Sequence, residues 1–233
     1  MMTEYQALRI DVAFVEPLYE INIGYVARVM KNFNMGKLYI ISPRCEVGAI
    51  ALRYSAHAQD LLLEARIING LDHLLSKYDL VIGTTGKIGA GPLRRYVTPD
   101  EFARKLASYK DGKVLILLGR EDIGLKNEEL KLCDLIISIP ANPLYSVMNV
   151  SHAAAIIFYE IYKTLSMRER TVNRMPKREE IEVFLRYVRE ILRKRGKKED
   201  KVERALLTLR RIIGSCMLSS SDIKLLIDIV KGI

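Results

Sequence analysis

Three segments of the 233-residue chain combine glycine or proline with polar side chains at spacings suited to holding a ligand against the backbone. They are Gly83-Thr-Thr-Gly-Lys-Ile-Gly-Ala-Gly91, Gly119-Arg-Glu-Asp-Ile-Gly124 and Ile139-Pro-Ala-Asn-Pro-Leu-Tyr-Ser-Val-Met-Asn149. Glycine permits close main-chain approach, and loop amides and carbonyls can then read the edges of a small molecule. Nucleotide hydrolysis does not fit the first segment. A phosphate loop has four residues between its glycines and Ser or Thr after its Lys. Here Gly83 and Gly86 are separated by two, and Lys87 precedes Ile88. No Gly-x-Gly-x-x-Gly opens a helix after the first strand, and there is no Gly-x-Ser-x-Gly. His57, His73 and His152, with Cys45, Cys133 and Cys216, lack metal or nucleophile spacing, so no metal is expected.

The elements that must position these loops follow from patterning. Apolar runs at Ile10–Val15, Leu38–Ser42, Asp79–Gly83, Lys113–Gly119 and Leu135–Ile139 alternate with stretches long enough for helices, which predicts an α/β fold with a largely parallel sheet. The inner runs are continuously apolar, as in strands covered on both faces. Sheets of this kind bind ligands at the carboxyl ends of their strands, where the three segments fall. Thr98–Lys110 opens with Thr and, three residues on, Glu, a capping-box start. Asn149–Leu165 carries apolar residues at 150, 153, 154, 157, 158 and 161, a second helix. His152 within it reads as a packed core histidine. Nearly half the residues (49%) are apolar, enough for a sizeable core, yet no run reaches 18 and the start lacks the pattern of a secretory signal. A cytoplasmic protein with no membrane segment is expected.

Charge divides the chain. Residues 1–166 hold 19 basic against 18 acidic residues, while 167–233 hold 18 against 10. Strands cease beyond Met167, and three helical patterns follow: Lys177–Arg195, Glu199–Ile213 and Ser221–Val230. The boundary is therefore set at 166, with 168–177 as a polar linker. The first tail helix gathers Ile181, Phe184, Leu185, Val188, Ile191 and Leu192 on one stripe, with Arg186, Arg189, Arg193 and Lys194 largely opposite. Together with Lys197 and Lys198 these form a candidate polyanion surface, because Lys and Arg that neutralise phosphates release counterions. A solvated basic face is the alternative.

At the first strand-to-helix junction, Glu16-Pro17 is followed by Asn22-Ile-Gly-Tyr-Val-Ala-Arg28-Val-Met-Lys-Asn-Phe33. With Gly119-Arg-Glu-Asp-Ile-Gly-Leu125 and Asn142-Pro-Leu-Tyr-Ser-Val-Met-Asn149, this resembles the three motifs of the SPOUT methyltransferases, specifically the TrmH/TrmJ branch, over about residues 8–165. The resemblance implies a trefoil-knotted sheet, a homodimer, and methyl transfer from S-adenosylmethionine to an RNA ribose 2′-hydroxyl. Asn127-Glu-Glu-Leu130 after the second motif, the Asn-Pro-x-Tyr-Ser of the third and the helical carboxyl-terminal extension resemble TrmJ members, which implies tRNA, at the first residue of the anticodon loop. Ribosomal RNA methylation and a silent RNA-binding protein are the alternatives.

By the same resemblance, Thr84, Thr85, Gly86, Gly119, Ile139, Pro140, Ser146, Val147 and Met148 map to the cofactor loops, and Asn22, Arg28, Glu121 and Asn149 to the catalytic group. A guanidinium is a poor base, so Arg28 is expected to clamp a phosphate and stabilise developing alkoxide. Glu121 either holds substrate or braces its loop by accepting amides. Asn22 and Asn149 either serve that catalytic group or cap the helices they precede, two roles that can coexist. Lys87 is a further candidate phosphate ligand. Val147 stands where many relatives have Ser, and Gly86-Lys87 where Ala-Arg is common. Tyr25 and Tyr145 either stack on a base or cover the sheet edge.

Overall fold

The computed structural model describes residues 8–86, 96–167 and 173–232. Strands β1 (Leu8–Val15), β2 (Leu38–Ile41), β3 (Arg66–Ile68), β4 (Leu80–Thr84), β5 (Tyr109–Leu118) and β6 (Leu135–Ile137) pair in the order β3-β2-β1-β5-β4-β6. Every pairing is parallel, with Val12 opposite both Leu38 and Ile116, and Ile82 opposite both Ile116 and Leu135. The expected parallel α/β architecture is what the chain adopts. Two strands were not expected. β3 is a three-residue edge piece whose residues stay exposed or half-buried, and β7 (Asn173–Arg174) extends the end of the expected linker along β5. Residues 168–172 of that linker lie outside the described residues.

Continuous apolarity in the inner strands has a direct cause. Val12, Phe14, Ile40, Ile82 and Ile116 face one core, completed by α1 (Glu20–Asn32), α5 (Pro99–Leu106) and α7 (Val150–Ser166). Ala13, Val15, Ile41, Val81, Leu115 and Leu117 face the other. That second core is closed by Leu74 and Leu75 of α4 (Asp72–Leu75) and Leu130 of α6 (Asn127–Lys131). Between β2 and β3 the chain forms the short α2 (Ala49–Tyr54) and α3 (Gln59–Leu63). At the start of α5, Thr98 Oγ1 accepts from the Glu101 amide while the Glu101 carboxylate accepts from the Thr98 amide at 2.9 Å, the expected reciprocal cap.

Two local expectations are corrected. His152 is exposed rather than packed in the core. The buried stripe of α7 runs through 150, 154, 157, 158 and 161, and position 152 lies two residues, some 200° around the helix, from 154. Asn22 does not cap α1. The helix begins two residues earlier, with Tyr19 at its cap position, so Asn22 is a buried first-turn residue free to point elsewhere.

The tail folds into α8 (Arg178–Lys194), α9 (Glu199–Cys216) and α10 (Ser220–Lys231) around a cluster of Ile181, Phe184, Leu185, Val202, Leu206, Ile213, Ile223 and Ile227. These helices dock at the amino ends of the central strands. Buried Asp134 accepts from Arg178 at 2.7 Å and pairs with Arg210 at 3.4 Å, while Asp79 pairs with Lys177 at 2.9 Å. Tyr109 Oη donates to the Leu218 carbonyl at 2.7 Å. A Cβ on Gly214 would stand 2.6 Å from the Asp134 carbonyl oxygen, so glycine sets how closely α9 approaches the sheet. β5 has ten residues, so its two ends lie about 30 Å apart. Among the described residues no helix is long and apolar enough to cross a membrane.

Candidate active site

At the carboxyl ends of β4, β5 and β6 the loops converge on one cleft. It is lined by Thr84, Thr85 and Gly86, by Gly119–Gly124, and by Ile139 and Ser146–Met148. Eight of the nine cofactor-loop residues expected from the sequence meet here, and Pro140 is not among the lining residues. Sequence reasoning did not find the apolar floor, formed by Ile137, Val150, Ala153 and Ile157. These residues carry no motif and read only as strand or helix core. Thr85 donates its amide to the Ile137 carbonyl at 3.0 Å, and Thr84 Oγ1 donates to the Leu117 carbonyl at 2.9 Å, fixing the first loop against its neighbours. Gly119 is obligatory in another sense. A Cβ there would lie 2.2 Å from the carbonyl carbon of Gly124 and the nitrogen of Leu125.

Beside the cleft, three of the four expected catalytic residues form a hydrogen-bonded chain. Asn149 Nδ2 donates to Asn22 Oδ1 at 3.1 Å, and Asn22 Nδ2 donates to Glu121 Oε1 at 3.0 Å. Asn149 is also the expected cap of α7, its Oδ1 accepting from the Ser151 amide at 2.8 Å. Glu121 further accepts from the amides of Leu18 and Tyr19 at 2.9 and 3.3 Å. These bonds brace the first motif against the second. Arg28 is exposed on α1, six residues past Asn22 and so on a different side of the helix, outside that chain of bonds.

A buried ion cluster beneath the second motif was not singled out from the sequence, although Glu16, Arg120 and Glu129 all stand in or beside the motifs. The Arg120 side chain is only 1% exposed. It donates to Glu16 Oε1 at 2.5 Å and to the two oxygens of Glu129 at 2.7 and 2.9 Å. Arg44 also pairs with Glu16. Hydrogen bonding from Arg120, then Arg44, holds the Glu16 carboxyl down to about 2, and the two carboxylates raise the guanidinium in turn. Glu16 itself adopts φ of 45°, a left-handed corner that turns the chain from β1 into the Pro17–Tyr19 segment gripped by Glu121.

The tail cations are placed as follows. Arg186 and Arg189 line a groove between α8 and α9. Arg189 pairs with Glu203 at 2.9 Å and Arg193 with Glu199 at 2.5 Å, whereas Lys194, Lys197 and Lys198 are exposed at the α8–α9 turn. Lys87 lies outside the described residues. Tyr25 packs edge-on against Tyr54, with ring centroids 5.3 Å apart, while Tyr145 stands in solvent.

The sequence profile described as the SpoU rRNA Methylase family matches residues 9–159. The tRNA (cytidine-2′-O-)-methyltransferase TrmJ of Methanocaldococcus jannaschii is 36% identical over 221 residues, covering 92% of this chain and 95% of that protein. The crystal structure of TrmJ from Z. mobilis superposes with a TM-score of 0.68 at 26% identity, over 95% of this chain and 97% of that one. The SpoU methyltransferase AviRb from Streptomyces viridochromogenes, solved in complex with AdoMet, shares the fold: its TM-score is 0.56 at 21% identity, over 70% of this chain and 60% of that one. With the profile spanning most of the sheet and its loops, and near full-length likeness to TrmJ, the chain belongs to the SpoU methylase family.

Proposed function

We propose that this protein is an S-adenosylmethionine-dependent 2′-O-ribose methyltransferase of tRNA, acting at the first residue of the anticodon loop as a cytoplasmic homodimer. The observation that carries the reading is the convergence of the three motif loops on one cleft, with Asn22, Glu121 and Asn149 bonded at its side. Residues 1–166 form the catalytic domain, knotted as in the SPOUT enzymes, and 167–233 the tRNA-binding extension.

The cleft suits the cofactor. Ile137, Ile139, Val150 and Ile157 give an apolar surface for a purine, and Thr84, Ser146 and the loop amides give polar partners for a ribose. A Cβ at Gly86 would lie 3.5 Å from the Ser146 carbonyl oxygen and so occupy space between two cleft loops. Thr84–Gly86, Gly119, Ile139–Pro140 and Ser146–Met148 would hold it. S-adenosylmethionine supplies an electrophilic methyl group there. The work left to the chain is orientation and proton removal. For transfer to occur the ribose 2′-oxygen would have to shed its proton, to a phosphate oxygen or water. Arg28 clamps the adjoining phosphate and stabilises the developing alkoxide, while Glu121 and the two asparagines hold the loops in register.

Exposed Ile156, Tyr159 and Tyr162 on α7 support a second copy as partner. The tail lies at the opposite end of the sheet from its own cleft, which supports a tRNA held by the tail of one subunit while the other supplies the cofactor. Lys194, Lys197 and Lys198, with Arg186 and Lys87, supply the phosphate contacts, and Arg189 in the groove and Arg193, paired with Glu199, add to the positive charge beside them.

Transfer of labelled methyl to unmodified tRNA and to ribosomal RNA, with digestion and mass mapping of the product, tests the reading. A 2′-O-methylated ribose at the start of the anticodon loop is expected. Methylation of ribosomal RNA alone, or binding of tRNA and cofactor without transfer, would overturn it.

A further inference from the structure

We infer that Tyr145 is a stacking platform for the unpaired base of the nucleotide that enters the cleft, with Leu144, Ile123 and Tyr19 completing an apolar rim. The inference rests on the RNA ribose reading above and adds the residue that grips the base.

The rim consists of large apolar side chains held in water by rigid turns. Leu144 and Tyr145 are 93% and 81% exposed. Their loop is not slack: the Leu144 amide donates to Asn142 Oδ1 at 3.0 Å and the Tyr145 amide to the Asn142 carbonyl at 2.9 Å, with Pro143 fixing the backbone between them. Ile123 tops a second tight turn, closed by reciprocal backbone bonds between Arg120 and Gly124 at 2.9 and 3.2 Å. Tyr19 is more than half exposed, and its amide is held by Glu121. Each turn adjoins the cleft, since Ser146 and Val147 follow Tyr145 directly and Ile123 is itself a lining residue. Exposed apolar groups clustered at the mouth of a polar-edged cleft mark a contact surface.

Reach identifies the occupant. A ribose presenting its 2′-oxygen to this cleft carries its base one sugar away, where the side chains beside Ser146 and Val147 stand. A paired base would stay in its own stack, whereas an unpaired loop base can be splayed out onto an aromatic ring. Glu121 and Asn22 already bond each other, and Glu121 the motif-one amides, whereas the exposed Tyr145 ring offers a face for a base. Stacking of this kind tolerates different bases.

The chain contains no tryptophan, so Tyr145→Trp introduces a single fluorescent indole. Titration with an unmodified anticodon stem-loop hairpin should quench it, and the same hairpin with its loop annealed to a complementary strand should not. Ile67→Trp, on the far edge strand β3, should stay silent. Tyr145→Ala should raise the KM for RNA by about 5- to 100-fold, leaving the KM for S-adenosylmethionine unchanged, and Tyr145→Phe should restore it. An indole indifferent to the hairpin in a preparation whose wild type methylates RNA would overturn the platform. Emission that follows protein concentration alone would overturn it too, assigning Tyr145 to contact between two copies. Quenching without methyl transfer by the wild type would support the platform and count against the transferase reading.

Discussion

Arg120→Met should destabilise the protein by about 3–5 kcal/mol at neutral pH, because it strands Glu129 and leaves Glu16 to Arg44 around a site whose guanidinium is almost wholly buried. Part of that figure follows from Glu16 alone. Its carboxyl is held at about 2 against an ordinary 4.5, and at about 1.4 kcal/mol per pKa unit the difference bounds its share near 3 kcal/mol. Because Glu16 is about one-fifth exposed, solvent reduces the realised value. The pH dependence distinguishes this cause from lost packing. A carboxyl depressed in the folded state contributes fully above its unfolded value near 4.5, and the contribution disappears as pH falls toward 2. The stability gap between wild type and variant should therefore be widest near pH 7, with the Glu16 share falling to about half near pH 3. Urea unfolding followed by circular dichroism at both pH values measures it. Adding Glu16→Gln and Glu129→Gln to Arg120→Met should recover part of the loss. A gap below about 1 kcal/mol at pH 7, or an equal gap at both pH values, would refute the reasoning.

Gly86→Ala should weaken S-adenosylmethionine binding about tenfold by calorimetry without changing the melting temperature, whereas Gly119→Ala, forced against the Gly124 backbone, should lower that temperature. Asn149→Ala should cost about 0.5–2 kcal/mol through loss of the α7 cap. Asn149→Asp should keep the cap but lose the bond to Asn22, leaving the buried Asn22 Oδ1 without its donor at a cost of about 1–3 kcal/mol, and methyl transfer should fall; equal activity would exclude that bond from function. Replacing Lys194, Lys197 and Lys198 with serine should reduce the slope of log affinity for tRNA against log salt by about 2–3. An unchanged slope would remove the α8–α9 turn from the interface.

Much of the sheet was legible because burial on both faces leaves an unbroken apolar run, as in β4 and β5. The edge piece β3 was not, since Arg66 and Ile67 are exposed and its pairing is decided by β2 alone. The cleft loops were legible through their glycines and their resemblance to a known family. The cleft floor was not, because Ile157 contributes to it with the same side chain that fills the core. Asn22 shows the limit of local rules: its type suggested a cap, yet the helix starts earlier and the amide is used across some hundred residues of chain. The Glu16–Arg120–Glu129 cluster needed three separated segments to meet, which no spacing within one segment announces.

The docking of α8–α10 at the amino ends of the strands has a metric consequence. Along β5 the cleft and the anchor at Tyr109 are separated by a ladder bonded to β1 and β4, and a strand in that position cannot gain or lose a residue without reversing which side chains face each core. The span is therefore a fixed gauge, incapable of small adjustment. For an RNA held by the tail of one subunit and the cleft of the other, two such sheets would be the stiff arms of a caliper set by how the copies join, and the base at that distance would need little reading of its own.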